Sequence, residues 1–204
     1  MAAAGLWQPP DWSLASADGT FGNRFDDPDG TYRVLYASSQ RLGCFLETLA
    51  RFRIDLTLYA ELAAIEGEDD FVPLGHVPVA WTEKRLLGSA EHQGHYADFY
   101  GSQRVGLLRS DLAVDCVALG IDELDAVATL QLSAPRRLTQ IASRKAFQLG
   151  FDGIMYRSRF GHDIENWALF EPFKINPTSA IPIELNDPDL RKALAIHHLE
   201  FDLP

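Results

Sequence analysis

Arg24, Tyr36, Glu47 and Ser158 are the side chains of this sequence whose types and settings could act together on a polar ligand. Arg24 lies in Gly22-Asn-Arg-Phe-Asp26, just before a turn. A guanidinium there is either a surface ion-pair partner or a planar fork that grips a pyrophosphate or a ribose. Tyr36 ends an alternating apolar run. Its ring either packs at a sheet edge or stacks on a planar ligand, with the hydroxyl as a polar handle. Glu47 follows Leu42, Phe45 and Leu46 and precedes Leu49, four residues with the spacing of one apolar helix face. At about 100° per residue, Glu47 points nearly opposite the centre of that face, into water or into a cleft. Ser158, in Tyr156-Arg-Ser-Arg159, has no elbow glycine and no base partner in sequence. It reads as a hydrogen-bonding group rather than an activated nucleophile.

Other candidates are weaker. His92 and His95 in Glu91-His-Gln-Gly-His95 could share a helix face, as zinc ligands do, but Gly94 weakens that helix and no third ligand follows at a suitable spacing. They read as a polar loop, and His197-His198 reads the same way. Cys44 and Cys116 lack CxxC spacing and read as buried apolar side chains. The acidic run Glu66-Gly-Glu-Asp-Asp70 lacks the ligand spacing of a calcium loop and reads as a solvated loop. No metal site is expected. There is no GxGxxG, GxxxxGK[ST], GxSxG or HExxH, so the common nucleotide, serine-hydrolase and zincin patterns are absent.

Several elements must position these residues. Residues 1–20 read as irregular, and Asp26-Asp-Pro-Asp-Gly30 as a turn. Thr31–Tyr36 reads as a strand and residues 40–53 as a helix capped by Ser38 or Ser39. Leu74–Trp81 suggests a strand broken by Pro78, and residues 97–119 a mixture of helix and strand. Ile121–Val127 could open a short helix and Thr129–Leu132 a strand. Thr139 reads as the N-cap of a helix ending near Leu149, with Gly150 at C′. Phe151–Ser158 reads as turn and strand, Asn166–Phe170 as the next strand, with the seven residues between them closing a hairpin. The tail from Pro182 alternates acidic and apolar residues, as a packed extension or a partner-binding arm. Helices and strands do not alternate regularly, so the class is α+β.

Composition narrows the function. The chain has 204 residues, 47% hydrophobic and 23% charged, which excludes collagen, coiled coil and wholesale disorder. A chain of this size buries about 70% of its unfolded surface and needs no metal or disulfide to fold. With 18 Lys plus Arg against 29 Asp plus Glu, the formal charge is −11. That balance disfavours direct nucleic-acid binding and anionic membranes, but a small phosphate ester needs only one or two arginines. The first residues lack a basic start and an apolar core of signal-peptide length, and no apolar run reaches membrane-spanning length. The expected location is cytoplasmic.

Taken in order, Asn23-Arg-Phe-Asp26, a turn, Leu35-Tyr-Ala-Ser38, Phe45-Leu-Glu-Thr48, Tyr156-Arg-Ser158 and Asn166-Trp-Ala-Leu-Phe170 resemble the RES domain family, named for an Arg, a Glu and a Ser. The family pattern sets a Tyr about twelve residues after the Arg and a Glu eleven after that, as Arg24, Tyr36 and Glu47 stand here. Its Ser precedes an Asn by about eight residues, as Ser158 precedes Asn166. The resemblance covers roughly residues 20–180. Asp26 stands where the family often has Asn, and Ser158 has Tyr-Arg before it rather than the commoner Pro.

The resemblance implies one RES-like domain over residues 1–204, its core at about 20–180, with extensions at both ends. It implies an ADP-ribosyltransferase-like fold, a small split β-sheet core with flanking helices. It implies a toxin of a toxin–antitoxin pair that breaks the nicotinamide–ribose bond of NAD⁺, as a glycohydrolase or a phosphorylase. NAD⁺ is then substrate, and no cofactor is expected. Arg24 would hold the phosphates or ribose hydroxyls, Tyr36 would stack on nicotinamide, Glu47 would favour the developing cation, and Ser158 would bind the ribose or amide. The implied partner is an Xre-like antitoxin that blocks the site; a homodimer is also compatible. Protein ADP-ribosylation and a non-catalytic NAD-binding module are the alternatives.

Overall fold

The computed structural model of the chain describes residues 3–55, 57, 60, 74–100, 109–122 and 136–202. Its main sheet has four strands in the order β1-β6-β5-β4: β1 (Val34–Ser38), β4 (Tyr96–Asp98), β5 (Gly153–Ser158) and β6 (Gly161–Phe170). β6 runs antiparallel to both β1 and β5, and β4 is parallel to β5. Two smaller pairs hold the other strands among the described residues. β2 (Gly75–Pro78) is parallel to β8 (Leu199–Asp202), and β3 (Leu86–His92) is antiparallel to β7 (Ile175–Pro182). The helices are α1 (Arg41–Leu49), α2 (Ala80–Glu83), α3 (Ala113–Ala118), α4 (Arg136–Gln148) and α5 (Pro188–His197).

The register of the main sheet decides what shares a face, because opposed residues in an antiparallel ladder point the same way. Val34 opposes Phe170, Tyr36 opposes Ala168 and Ser38 opposes Asn166; across the other edge of β6, Ile154 opposes Ala168 and Tyr156 opposes Asn166. Val34, Ile154, Ala168 and Phe170 pack with Leu138, Ala142 and Ala146 of α4 in one core. Farther along β6, Ile164 packs with Phe45, Leu46 and Leu49 of α1 and with Leu190, Ala193 and Leu194 of α5 in a second core. Each fully buried leucine or phenylalanine there contributes about 1.5–3 kcal/mol. Tyr36, Tyr156 and Asn166 therefore lie in the seam between two cores.

α1 reaches the sheet because Gly43 has no side chain. A Cβ there would stand 2.2 Å from Ser38 Oγ and 2.7 Å from Ile164 Cγ2. Glu47, four residues on, lies above Gly43 on the same side of the helix. α5 backs α1 from the other side. Asp187 caps it, accepting from the Asp189 and Leu190 amides, and Pro188 fills N1. Arg41 of α1 pairs with Asp187. His197, the last residue of α5, is 4% exposed with Nε2 2.9 Å from Leu46 O.

The structure shifts several expected boundaries. β1 starts at Val34, not Thr31, because the Thr31 amide donates to Asp27 Oδ2 (2.5 Å) rather than to the ladder. The helix expected over 40–53 ends as α at Leu49 and tightens to a 3₁₀ turn at Ala50–Phe52. Pro78 ends β2 instead of interrupting it, and α2 follows. α4 begins at Arg136, so Thr139 is inside the helix and not its cap. β6 is longer than expected, and a two-residue turn, not a seven-residue connection, joins it to β5. The tail forms α5 and β8, a packed extension. Cys44 is half-buried and Cys116 buried, both as thiols. The run Glu66–Asp70 and the elements expected over 121–127 and 129–132 lie, but for Ile121 and Asp122, outside the described residues.

Two outcomes are expected. Gly43→Ala should cost about 1–3 kcal/mol through overpacking, lowering Tm by about 2–4 °C per kcal/mol in thermal denaturation. His197 gives a pH dependence. Burial first, then Arg53 and Arg159, hold its imidazole below the ordinary range, against the Leu46 carbonyl and Glu47. The unfolded chain thus takes up this proton at higher pH than the folded one. Its contribution is present above the unfolded pKa of about 6.5 and is lost as pH falls toward the folded value. Tm should drop between pH 7 and 5, less steeply in His197→Gln.

Candidate active site

Glu47 is the meeting point. Ser158 Oγ donates to Glu47 Oε1 at 2.7 Å, and Asn166 Nδ2 donates to the same oxygen at 2.9 Å. Ser158 is 4% and Asn166 1% exposed, while the glutamate is half-buried. Ser158 comes from the end of β5, Asn166 from the middle of β6 and Glu47 from α1, so three elements hold one carboxylate. The Ser158 hydroxyl also accepts from the Phe160 amide at 3.1 Å, within the β5–β6 turn. Asn166 Oδ1 is buried and has no hydrogen-bond partner among the described residues.

Arg24 comes from a loop whose backbone is fixed from two sides. Gln140 Nε2 donates to Asn23 O (3.1 Å), Thr139 Oγ1 to Arg24 O (2.6 Å) and Ser143 Oγ to Phe25 O (2.8 Å). All three donors are buried on α4. Asp26, also buried, accepts from the Phe21 and Asn23 amides at 2.9 and 2.7 Å. The Phe25 amide donates to Tyr36 Oη at 3.0 Å, tying the loop to β1. The Arg24 guanidinium is half-buried and feels Glu47, Tyr156, Tyr36 and Arg159. Burial and then Arg159 lower its pKa from the ordinary arginine value. It remains a cation at any physiological pH.

Two phenols line the seam. Tyr36 is 38% exposed although its hydroxyl end is buried, so the ring offers a face while the oxygen is anchored. Burial pushes that hydroxyl well above the tyrosine range. Tyr156 is raised too, by burial and then by Glu47, against Arg24 and a hydrogen bond with Asn166. Both stay neutral phenols at physiological pH. The Tyr156 ring packs on Phe25 with centroids 4.8 Å apart.

Arg24, Tyr36, Glu47 and Ser158 thus gather at one end of the main sheet. His92 and His95 do not. His92 Nδ1 meets Tyr96 Oη at 2.8 Å, and the His95 amide donates to Asp152. Among the described residues no group of three or more His, Cys, Asp or Glu could hold a metal. Sequence reasoning missed Thr139, Gln140 and Ser143. Their signal is a run of small and polar residues interleaved with Leu138, Ala142 and Ala146, on a helix side too polar for a plain core face.

A family model described as the RES domain matches residues 5–190. This chain belongs to the RES domain family. Its α+β fold is accordingly ADP-ribosyltransferase-like, and the family carries an NAD-related, toxin–antitoxin-associated function. No curated protein and no solved structure matches the chain. The RES match stops inside α5, so His197 and β8 lie beyond it. No helix among the described residues is long and apolar enough to cross a membrane.

Thr139→Val keeps the shape of the side chain but leaves the Arg24 carbonyl without its α4 donor. The expected loss is about 1–3 kcal/mol of stability. Weaker binding of an anionic nucleotide should accompany it in calorimetric titration.

Proposed function

We propose that this RES protein cleaves the nicotinamide–ribose bond of NAD⁺ and passes the ADP-ribosyl group to water or phosphate, as the toxin partner of an Xre-like antitoxin. One observation carries the reading: Glu47 is held by Ser158 and Asn166 within the field of Arg24.

The chemistry asks for little acid. The C1′–N bond breaks, and its electron pair returns to the pyridinium nitrogen, which leaves neutral. The ribose is left as an oxocarbenium-like cation. The acceptor oxygen then bonds to C1′; with water as acceptor, a proton is lost. The site has to bend and hold the dinucleotide, favour positive charge at the ribose, and exclude misplaced water.

The residues suit those tasks. Arg24 offers parallel donors to the pyrophosphate or ribose hydroxyls. Tyr36 offers an anchored ring for nicotinamide. Among the described residues both donors to Glu47 meet Oε1, which leaves Oε2 for a ribose hydroxyl and for the developing cation. Ser158 keeps the carboxylate in place and lies within reach of the ribose or amide. Asn166 Oδ1, buried without a partner among the described residues, could accept from a ligand donor.

A time course with NAD⁺, with and without phosphate, tests the reading. Nicotinamide with ADP-ribose is the expected product set for water, and nicotinamide with ADP-ribose 1″-phosphate for phosphate. Label transferred to protein would make the chain an ADP-ribosyltransferase. No nicotinamide from folded, inhibitor-free protein would refute cleavage. Glu47→Gln should lower turnover at least about 100-fold with the fold intact, and Arg24→Ala should act mainly on KM.

A further inference from the structure

We propose that His197 is a positioning residue for Glu47, so that the end of α5, beyond the family match, belongs to the working site. The proposal rests on the NAD⁺-cleaving reading above and extends it to a residue outside the RES match.

His197 touches both halves of the carboxylate's support. Its Nε2 lies 2.9 Å from Leu46 O, on the residue just before Glu47 in α1. Its ring meets Phe160 edge-on, with centroids 4.7 Å apart. Phe160 in turn donates its amide to Ser158 Oγ, which donates to Glu47. One side chain therefore fixes the helix that carries Glu47 and the turn that carries Ser158.

Packing alone does not call for an imidazole here. The position is 4% exposed, with Phe160 against its ring, and a leucine there would fill space without a polar cost. The Leu46 carbonyl already accepts the Ala50 amide at the end of α1. The added bond is not needed to satisfy that oxygen. What it adds is direction: it fixes α1 against the end of α5, whose start is tied to α1 through Arg41 and Asp187. α1 is thus held at both ends by one helix.

The test compares wild type, His197→Leu and His197→Gln, with Leu190→Ala as a control that damages the same core without touching Leu46 O. Assays run at a temperature where all four are folded. In His197→Leu, kcat should fall about 10-fold or more, with KM within about twofold. His197→Gln keeps an N–H donor and should recover most of kcat. Leu190→Ala should lose Tm yet keep kcat. Wild-type kcat in His197→Leu, or an equal loss in Leu190→Ala, would overturn the proposal. Crystal structures of the variants give a readout independent of turnover. The Ser158–Glu47 bond should open in His197→Leu and hold in His197→Gln; an unchanged bond in His197→Leu also overturns it. If the wild type releases no nicotinamide, the cleavage reading falls by itself, and the crystal structures still decide the role of His197.

Discussion

A carboxylate pressed between a helix and a sheet gives up part of its water and must find donors in the protein instead. Glu47 meets that demand with Ser158 and Asn166. Much of the architecture follows. Asn166 can reach the helix only from a central strand whose two neighbours share its face, which is where β6 lies. α1 can come close enough only over a glycine, which is Gly43. The sheet face can spare a polar row only because its apolar residues are divided between two cores, one under α4 and one under α1 and α5.

Arg24 is handled in the opposite way. Its guanidinium lies within the field of Glu47, Tyr36 and Tyr156, and its backbone is locked. Three consecutive carbonyls, of Asn23, Arg24 and Phe25, each receive a buried side-chain donor from α4. A loop held by its backbone sets where its charged side chain starts from. The Phe25 amide and Tyr36 hydroxyl extend the same lock into β1. The arginine and the tyrosine are therefore set relative to each other before any ligand arrives, and less ordering remains for binding.

The candidate residues were easier to single out in the sequence than the boundaries of the elements that carry them. Arg24, Tyr36, Glu47 and Ser158 could be singled out because their spacing follows a family pattern, which survives changes in the elements around them. Glu47 on its own helix looked solvent-facing, since periodicity reports the centre of an apolar face and not what covers its flank. The boundaries near Thr31 and Thr139 were misplaced for a related reason. Asp27 takes the Thr31 amide, and Thr139 spends its hydroxyl on Arg24 O, both long-range or side-chain uses that propensity does not see. The β3–β7 pair was not read at all, because its strands are far apart in sequence and β7 carries two prolines. α5 did leave a signal, Asp187-Pro188, which is a good N-terminal cap and first helical residue.

The β5–β6 hairpin has one irregularity with consequences for how such a chain can vary. Pairing is regular from Gly153 to Arg157, with Arg157 opposite Glu165, but Ser158 then pairs with Gly161. Ser158 stands two residues beyond Tyr156, which opposes Asn166, so the serine and the asparagine share a face and meet one carboxylate across a turn of only two residues. A single insertion or deletion between Arg159 and Asp163 would shift one strand by half a pleat, and one of the two donors would swing to the far face. Length is therefore more tightly constrained than residue identity along this stretch. Natural variants should show substitutions there but few gaps, and a grafted loop would have to keep the residue count to keep the site.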